Sequence, residues 1–279
     1  MLRLWGKKKT TEDFYNSLLV KGFSDVTVDN YKRVLKKFVK ETSVNPSKKQ
    51  VEECIAGLRK KKCSYSHILN TSVVLERYMD FLGRSLKLGR TRRPRTIVKD
   101  ILTEGEIARI IAAVKNSREK AIIAVLAYSG IRNKEMCDLK VKNVDLDSGV
   151  VKVFGGKGNK SRIAYIPREC VRIVSEYERD YKKAPEDLFI RTLVNKNQYS
   201  GGDLRKMVKV VAKRANVGKR VFPHLFRHSL ATNLLKNGAS LITIQNQLGH
   251  SKIETTMIYI RSFPQRAQAE YQYYLPSYI

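Results

Sequence analysis

The residues best suited to chemistry lie between Pro223 and Tyr259, in the stretch PHLFRHSLATNLLKNGASLITIQNQLGHSKIETTMIY. His224 and Arg227 stand three residues apart, so a helix here carries both on one face. His250 follows a Leu-Gly pair, and Tyr259 comes nine residues later. Two imidazoles, a guanidinium and a phenol suit one job: attack by the phenol oxygen on a phosphodiester whose charge is held by cations.

The remainder of the chain must deliver a phosphodiester to that set. Lys plus Arg number 55 against 26 Asp plus Glu, a net charge of +29. This excess is more than solubility needs, and it points to a polyanion, nucleic acid first. At 279 residues, 42% of them hydrophobic, the chain has room for two domains and material for a real core. Cys54, Cys63, Cys137 and Cys170 form no C-x-x-C pair, so they read as small core residues in a reducing compartment and not as metal ligands. The apolar start Met1 to Trp5 is too short for a signal peptide, and Lys7, Lys8 and Lys9 follow it. The longest apolar run, Ala121 to Leu126, falls well short of the ~20 residues a membrane helix needs. A soluble protein of the cytoplasm is expected.

Residues 11 to 83 predict four helices. Phe14 and Leu18 mark the first, about Thr11 to Val20. Val28, Tyr31, Leu35, Phe38 and Val39 mark the second. Val51, Cys54, Ile55 and Leu58 mark the third, which runs into Lys60, Lys61 and Lys62. Ile68, Val74, Leu75, Tyr78 and Phe81 mark the fourth, about Ser64 to Phe81. Residues 1 to 95 hold 23 Lys plus Arg against 9 Asp plus Glu, so the bundle suits a DNA clamp, although solvated charges on a structural bundle would read alike. Residues 84 to 98, RSLKLGRTRRPRTIV, predict a connector, with Arg90, Arg92, Arg93 and Arg95 clustered around Pro94. Those arginines could follow a DNA backbone or simply be solvated.

A second domain begins near Asp100. Thr103 and Glu106 fit a capping box ahead of the stripe Ile107, Ile110, Ile111 and Val114. An apolar helix from Glu119 to Tyr128 ends in Ser129-Gly130, and Arg132 and Glu135 come just after. Val150–Phe154 and Ile163–Ile166 flank Gly155-Gly156-Lys157-Gly158-Asn159 and predict a β-hairpin with Lys157 at its tip. Lys157, Lys160 and Arg162 could equally be ordinary solvated hairpin charges. The Walker spacing is absent, and a strand follows where a P-loop needs a helix. Helices are expected over Arg168–Tyr181 and Gly202–Ala215, with a short strand at Asp187–Ile190. Pro223 suits a helix first turn, Ser240 can cap Leu241–Leu248, and a last helix from about Ile253 would carry Tyr259.

Three stretches taken together, SGIRNKEMCDLKVKNVDL, GGKGNKSRIAYIP, and HLFRHSLAT with LGHSKIETTMIY, resemble the tyrosine recombinase (integrase) family in order, spacing and flanks. The resemblance covers residues 100 to 262 closely and is greatest to the Xer branch, including its archaeal members. It implies a mainly α fold with a small β-hairpin or sheet and a two-domain architecture. Residues 1–88 would be a helical core-binding domain, 89–99 a basic linker, and 100–279 a mixed α/β catalytic domain with a C-terminal tail helix.

The resemblance also assigns roles. Arg132 and Arg227 match the phosphate-holding arginines, and a guanidinium suits this because its fork gives phosphate two hydrogen bonds and stays charged. Tyr259 matches the nucleophile; a phenol of pKa ~10 needs a base or cationic surroundings at neutral pH. His224 matches the residue that takes its proton, Lys157 the general acid on the departing 5′ oxygen, and His250 a hydrogen-bond donor to the phosphate. Glu135 matches an acidic residue that orients the site. Lys60, Lys61, Lys62, Arg90, Arg92, Arg93 and Arg95 become candidate DNA-backbone contacts. The implied reaction breaks and rejoins strands through a 3′-phosphotyrosyl link; it conserves bond energy and needs no metal and no cofactor. The implied partner is a duplex recombination site, bound as a tetramer on two sites and as a dimer or monomer without DNA. The implied biology is chromosome dimer resolution, in chromosome partition and the cell cycle, or integration and excision of a mobile element. A non-cleaving regulator on this fold, a type IB topoisomerase-like relaxer and a basic chromatin protein are the competing readings.

Overall fold

The computed structural model describes residues 10–90, 100–154, 161–181, 184–192 and 198–249. The chain divides into two compact units, Met1–Ile97 and Val98–Ile279. No helix among the described residues is long and apolar enough to cross a membrane.

The first unit holds helices α1 (Thr11–Val20), α2 (Asp25–Glu41), α3 (Lys48–Lys60) and α4 (Tyr65–Phe81), the four that the periodicity predicts. Their starts are set locally. Thr10 and Asp13 cap each other reciprocally, Ser47 and Gln50 do the same, and the Ser64 hydroxyl accepts from the His67 N–H. Phe14, Leu35, Val51, Val74, Leu75, Tyr78 and Met79 are fully or almost fully buried between the helices. The Tyr78 ring meets Phe14 edge-on at 5.1 Å, and its hydroxyl donates to the Val44 carbonyl at 2.6 Å, so the one polar atom of this aromatic is satisfied.

The stretch expected as a connector is in part anchored to this unit. Leu86 is buried and Leu88 packs beside it. The Leu88 N–H donates to Glu76, the Arg84 guanidinium to the Pro46 carbonyl, and Arg59 to the Gly89 carbonyl. Two apolar residues two apart let an extended segment insert one edge into the bundle, a signal that the arginine-rich composition masks.

The second unit is built around α6 (Ser117–Ser129). Ala121 through Leu126 have no exposure at all, so this helix is apolar all round and lies in the middle of the core. Packed on it are α5 (Glu104–Ala112), α8 (Arg168–Asp180) and α10 (Pro223–Lys236). The expected capping box at Thr103 and Glu106 is present, and Ile110 is its fully buried stripe residue. A short helix α7 (Asn133–Asp138) follows α6 and packs against α9 (Gly201–Arg214). Helix α11 (Leu241–Leu248) starts at a Ser240 cap and packs on α10.

Three antiparallel strands lie in the order β1 (Val144–Asp145), β2 (Val150–Val153) and β3 (Arg162–Tyr165). The hairpin appears as expected, and β1 joins it because Val144 pairs with Val151. Side chains alternate across the sheet: Val151, Val153 and Ala164 face the core, while Lys152, Ile163 and Tyr165 face out. The strand expected at Asp187–Ile190 is reduced to a single bridge between Lys140 and Leu188. Phe189 and Ile190 are fully buried, so the apolar run fills the core without a strand partner along its length.

Candidate active site

Of the residues given catalytic or supporting roles from sequence, Arg132, Glu135, His224 and Arg227 lie among the described positions, and α6, α7, α10 and α11 bring Arg132, Glu135 and Arg227 together. Helix α6 stops at Gly130, whose φ of 62° is the left-handed conformation that glycine tolerates at a helix end. A Cβ there would lie 2.8 Å from Leu248 Cδ2 and 2.9 Å from Leu230 Cδ2, so the turn also needs glycine for space. This tight stop turns the chain so that Arg132 enters α7 at its N-terminus, with Glu135 one turn on.

Arg227 sits on the inner face of α10 and is 3% exposed. Its Nη1 donates to the Gly130 carbonyl at 2.7 Å and its Nη2 to the Leu248 carbonyl at 2.6 Å. One guanidinium thus joins the C-terminal ends of α6 and α11, where the carbonyls left over by each helix and its dipole favour a cation. Arg132 Nη2 reaches the next carbonyl, Gly249, at 3.5 Å. The two arginines therefore converge on the Leu248-Gly249 turn, immediately before His250.

Glu135 is the electrostatic centre. Its Oε1 accepts from Arg132 Nη1 at 2.7 Å and its Oε2 from the Arg132 main-chain N–H at 2.6 Å. Arg162 of β3 donates both fork nitrogens to the same carboxylate, at 2.8 Å each. Burial pushes the carboxyl up, but the hydrogen bonds from Arg162 and Arg132 and the charge of Arg162 outweigh it and hold the group down at about 2.

His224, at the start of α10, is exposed, and its ring lies 6.3 Å from that of His228 one turn on. Lys60, Lys61 and Lys62 are exposed where α3 ends, and Lys62 takes a left-handed φ of 51°. Arg90 is ion-paired with Glu76 at 2.6 Å. Lys157, His250, Tyr259, Arg92, Arg93 and Arg95 lie outside the described residues.

Two residues of the site were not legible at first sight. Arg162, which could be read as a solvated hairpin charge, is 10% exposed at its side chain and bound to Glu135. The strand alternation holds the signal, because Arg162 is in phase with buried Ala164. Gln247 is buried, and its side-chain carbonyl accepts the Tyr165 N–H at 3.0 Å while its amide donates to the Tyr165 carbonyl at 2.8 Å. The amide also reaches the Tyr128 carbonyl at 3.3 Å. A carboxamide thus pairs with the open edge of β3 as a strand would and ties it to α11 and the end of α6.

Gly249 has a φ of 64°, and a Cβ on it would fall 2.0 Å from Arg162 Cδ. Gly249→Ala is expected to destabilise the protein by about 2 kcal/mol or more, since the left-handed backbone alone costs ~1–2 kcal/mol with a Cβ. Urea denaturation checks this, and a wild-type midpoint would mean that Arg162 does not pack over this glycine.

Residues 100–266 match the phage integrase family. The chain belongs to that family, the tyrosine recombinases, and is an enzyme of site-specific DNA recombination. It is 32% identical to the tyrosine recombinase XerA of Pyrococcus horikoshii over 254 residues, which cover 90% of this chain and 88% of that one. The crystal structure of XerA recombinase superposes with a TM-score of 0.57 at 27% identity, covering 95% of this chain and 97% of that chain. The integrase of transposon Tn1549, solved with transposon right end DNA, shares the fold with a TM-score of 0.74 at 17% identity, covering 95% and 99%.

Proposed function

We propose that this enzyme cuts and rejoins duplex DNA through a covalent link between Tyr259 and a 3′ phosphate. The observation that carries the reading is the convergence of Arg132 and Arg227 on the turn before His250. Two guanidiniums there can bind the non-bridging oxygens of one phosphate and offset the charge that builds on it as it becomes pentavalent. The Tyr259 oxygen attacks phosphorus, and the bond to the 5′ oxygen breaks. His224 takes the phenol proton, and Lys157 gives a proton to the leaving oxygen. His250 donates a hydrogen bond to the phosphate, and Glu135 holds Arg132 in place. A 5′ hydroxyl of a partner strand then attacks the phosphotyrosyl link and releases Tyr259.

The DNA partner is a duplex recombination site, bound along its backbone by Lys60, Lys61, Lys62, Arg90, Arg92, Arg93 and Arg95. The complete assembly is a tetramer on two sites, acting in the cytoplasm on the nucleoid. The net charge of +29 and relatives named as recombinases support the DNA partner, as does the DNA-bound state of structurally similar integrases. The test is covalent trapping on a nicked duplex carrying candidate sites. Wild-type protein is expected to give a denaturant-resistant adduct, and Tyr259→Phe none. An adduct that survives in Tyr259→Phe moves the nucleophile to another tyrosine. Tight binding to a verified site without an adduct sinks the reading.

A further inference from the structure

Strand alternation turns Arg162 to the core side of the hairpin, in register with Val153 of β2 and in phase with Ala164. A guanidinium on a buried face requires a partner, and Glu135 of α7, 27 residues earlier, supplies it with two parallel hydrogen bonds of 2.8 Å. The methylene stem crosses Gly249, where a Cβ would lie 2.0 Å from Cδ. Arg162 therefore touches the helix after Arg132 and the turn before His250 at once. Its side chain is 10% exposed, and both fork nitrogens donate to Glu135.

The charges around this carboxylate decide what Arg132 can do. Glu135 carries one negative charge and sits against Arg132 and Arg162, so the three groups sum to +1. Without Arg162, Glu135 would pair with Arg132 alone. The pair would sum to zero, and a buried carboxylate would face the incoming phosphate with only one cation to offset it. Arg162 takes up the charge of Glu135 and leaves that of Arg132 for the anion. The side chain of Arg132 is 30% exposed against 5% for Glu135, so of the two it is the arginine that an entering phosphate meets.

We infer that Arg162 is a positioning residue of the recombination site: by holding Glu135 in a fork it orients Arg132 and frees its charge for the scissile phosphate. This rests on the reading of Arg132 as a phosphate ligand.

The test compares wild type, Arg162→Met, Glu135→Gln with Arg162→Met, and Arg162→Lys on the nicked duplex that traps the wild type. The rate of adduct formation is measured at saturating protein, with the DNA Kd measured separately. The temperature is one at which circular dichroism shows each variant folded. Arg162→Met is expected to slow adduct formation at least thirtyfold while shifting Kd less than threefold. The double variant, which again sums to +1, is expected to recover at least tenfold of that loss, and Arg162→Lys to fall between Arg162→Met and wild type. Arg162→Met within threefold of wild type, or a double variant no faster than Arg162→Met, overturns the inference and leaves the phosphotyrosyl mechanism standing. If Arg162→Met does not fold, the double variant carries the test: adduct within thirtyfold of wild type supports the inference, and slower formation overturns it. Failure of wild type itself on a site it binds would instead remove the phosphotyrosyl reading.

Discussion

Arg227→Ala is expected to abolish strand cleavage and to weaken the fold at the same time. The guanidinium joins the Gly130 and Leu248 carbonyls at 2.7 and 2.6 Å and is 3% exposed. Truncation leaves two buried acceptors without that donor, each worth about 1–3 kcal/mol, so a loss of roughly 3 kcal/mol or more in urea denaturation is expected. On the proposed mechanism it also removes half of the phosphate clamp, which costs about a thousandfold in the cleavage step. Arg227→Lys is not expected to restore either, because an ammonium on a single stem cannot span two carbonyls held by the ends of two helices. Single-turnover adduct formation in the folded fraction separates the two effects. Cleavage by Arg227→Ala within tenfold of wild type would remove Arg227 from the phosphate site.

Glu135→Ala carries the second large effect. It strands Arg132 and Arg162 beside each other with no anion between them, and removing one partner of a buried ion network costs about 3–5 kcal/mol. The same group gives the protein a pH signature. Its carboxyl is held at about 2 in the folded chain, against an ordinary 4.5. Between those values the unfolded chain binds the proton more readily, so stability falls as pH drops through that window and is fully present above it. The difference is on the order of 3 kcal/mol. Comparing the urea midpoints of wild type and Glu135→Gln at pH 7 and pH 3 checks it. The gap between them is expected to narrow by roughly half at the lower pH, where the folded-state carboxyl is still largely ionised, and a gap that stays constant would show that Glu135 is not the group responsible.

Much of this site was legible in the sequence because its markers are local. The Thr103-Glu106 box, the Gly130 stop and the Ser240 cap each depend on a few neighbouring residues, and each is formed. The apolar run Ala121–Leu126 announced a buried helix, and it is the centre of the second unit. Asp187–Ile190 misled because a short apolar run does not by itself supply a strand with a partner edge. Leu86 and Leu88 were hidden by the arginines around them.

By itself, then, the amino-acid order determined most of the helices among the described residues, the paired strands of the hairpin, the basic charge and the types of group available for chemistry, since periodicity and capping act over one or two turns. Tertiary structure decided which groups meet. Arg162 finds Glu135 across 27 residues, Arg227 finds Gly130 across 97, and Arg132 approaches Gly249 across 117. No local rule sets those distances. They follow from α6 filling the core and from β3 and α11 being latched by Gln247, so a charge that looks solvated in the sequence becomes a buried partner only once the elements have packed.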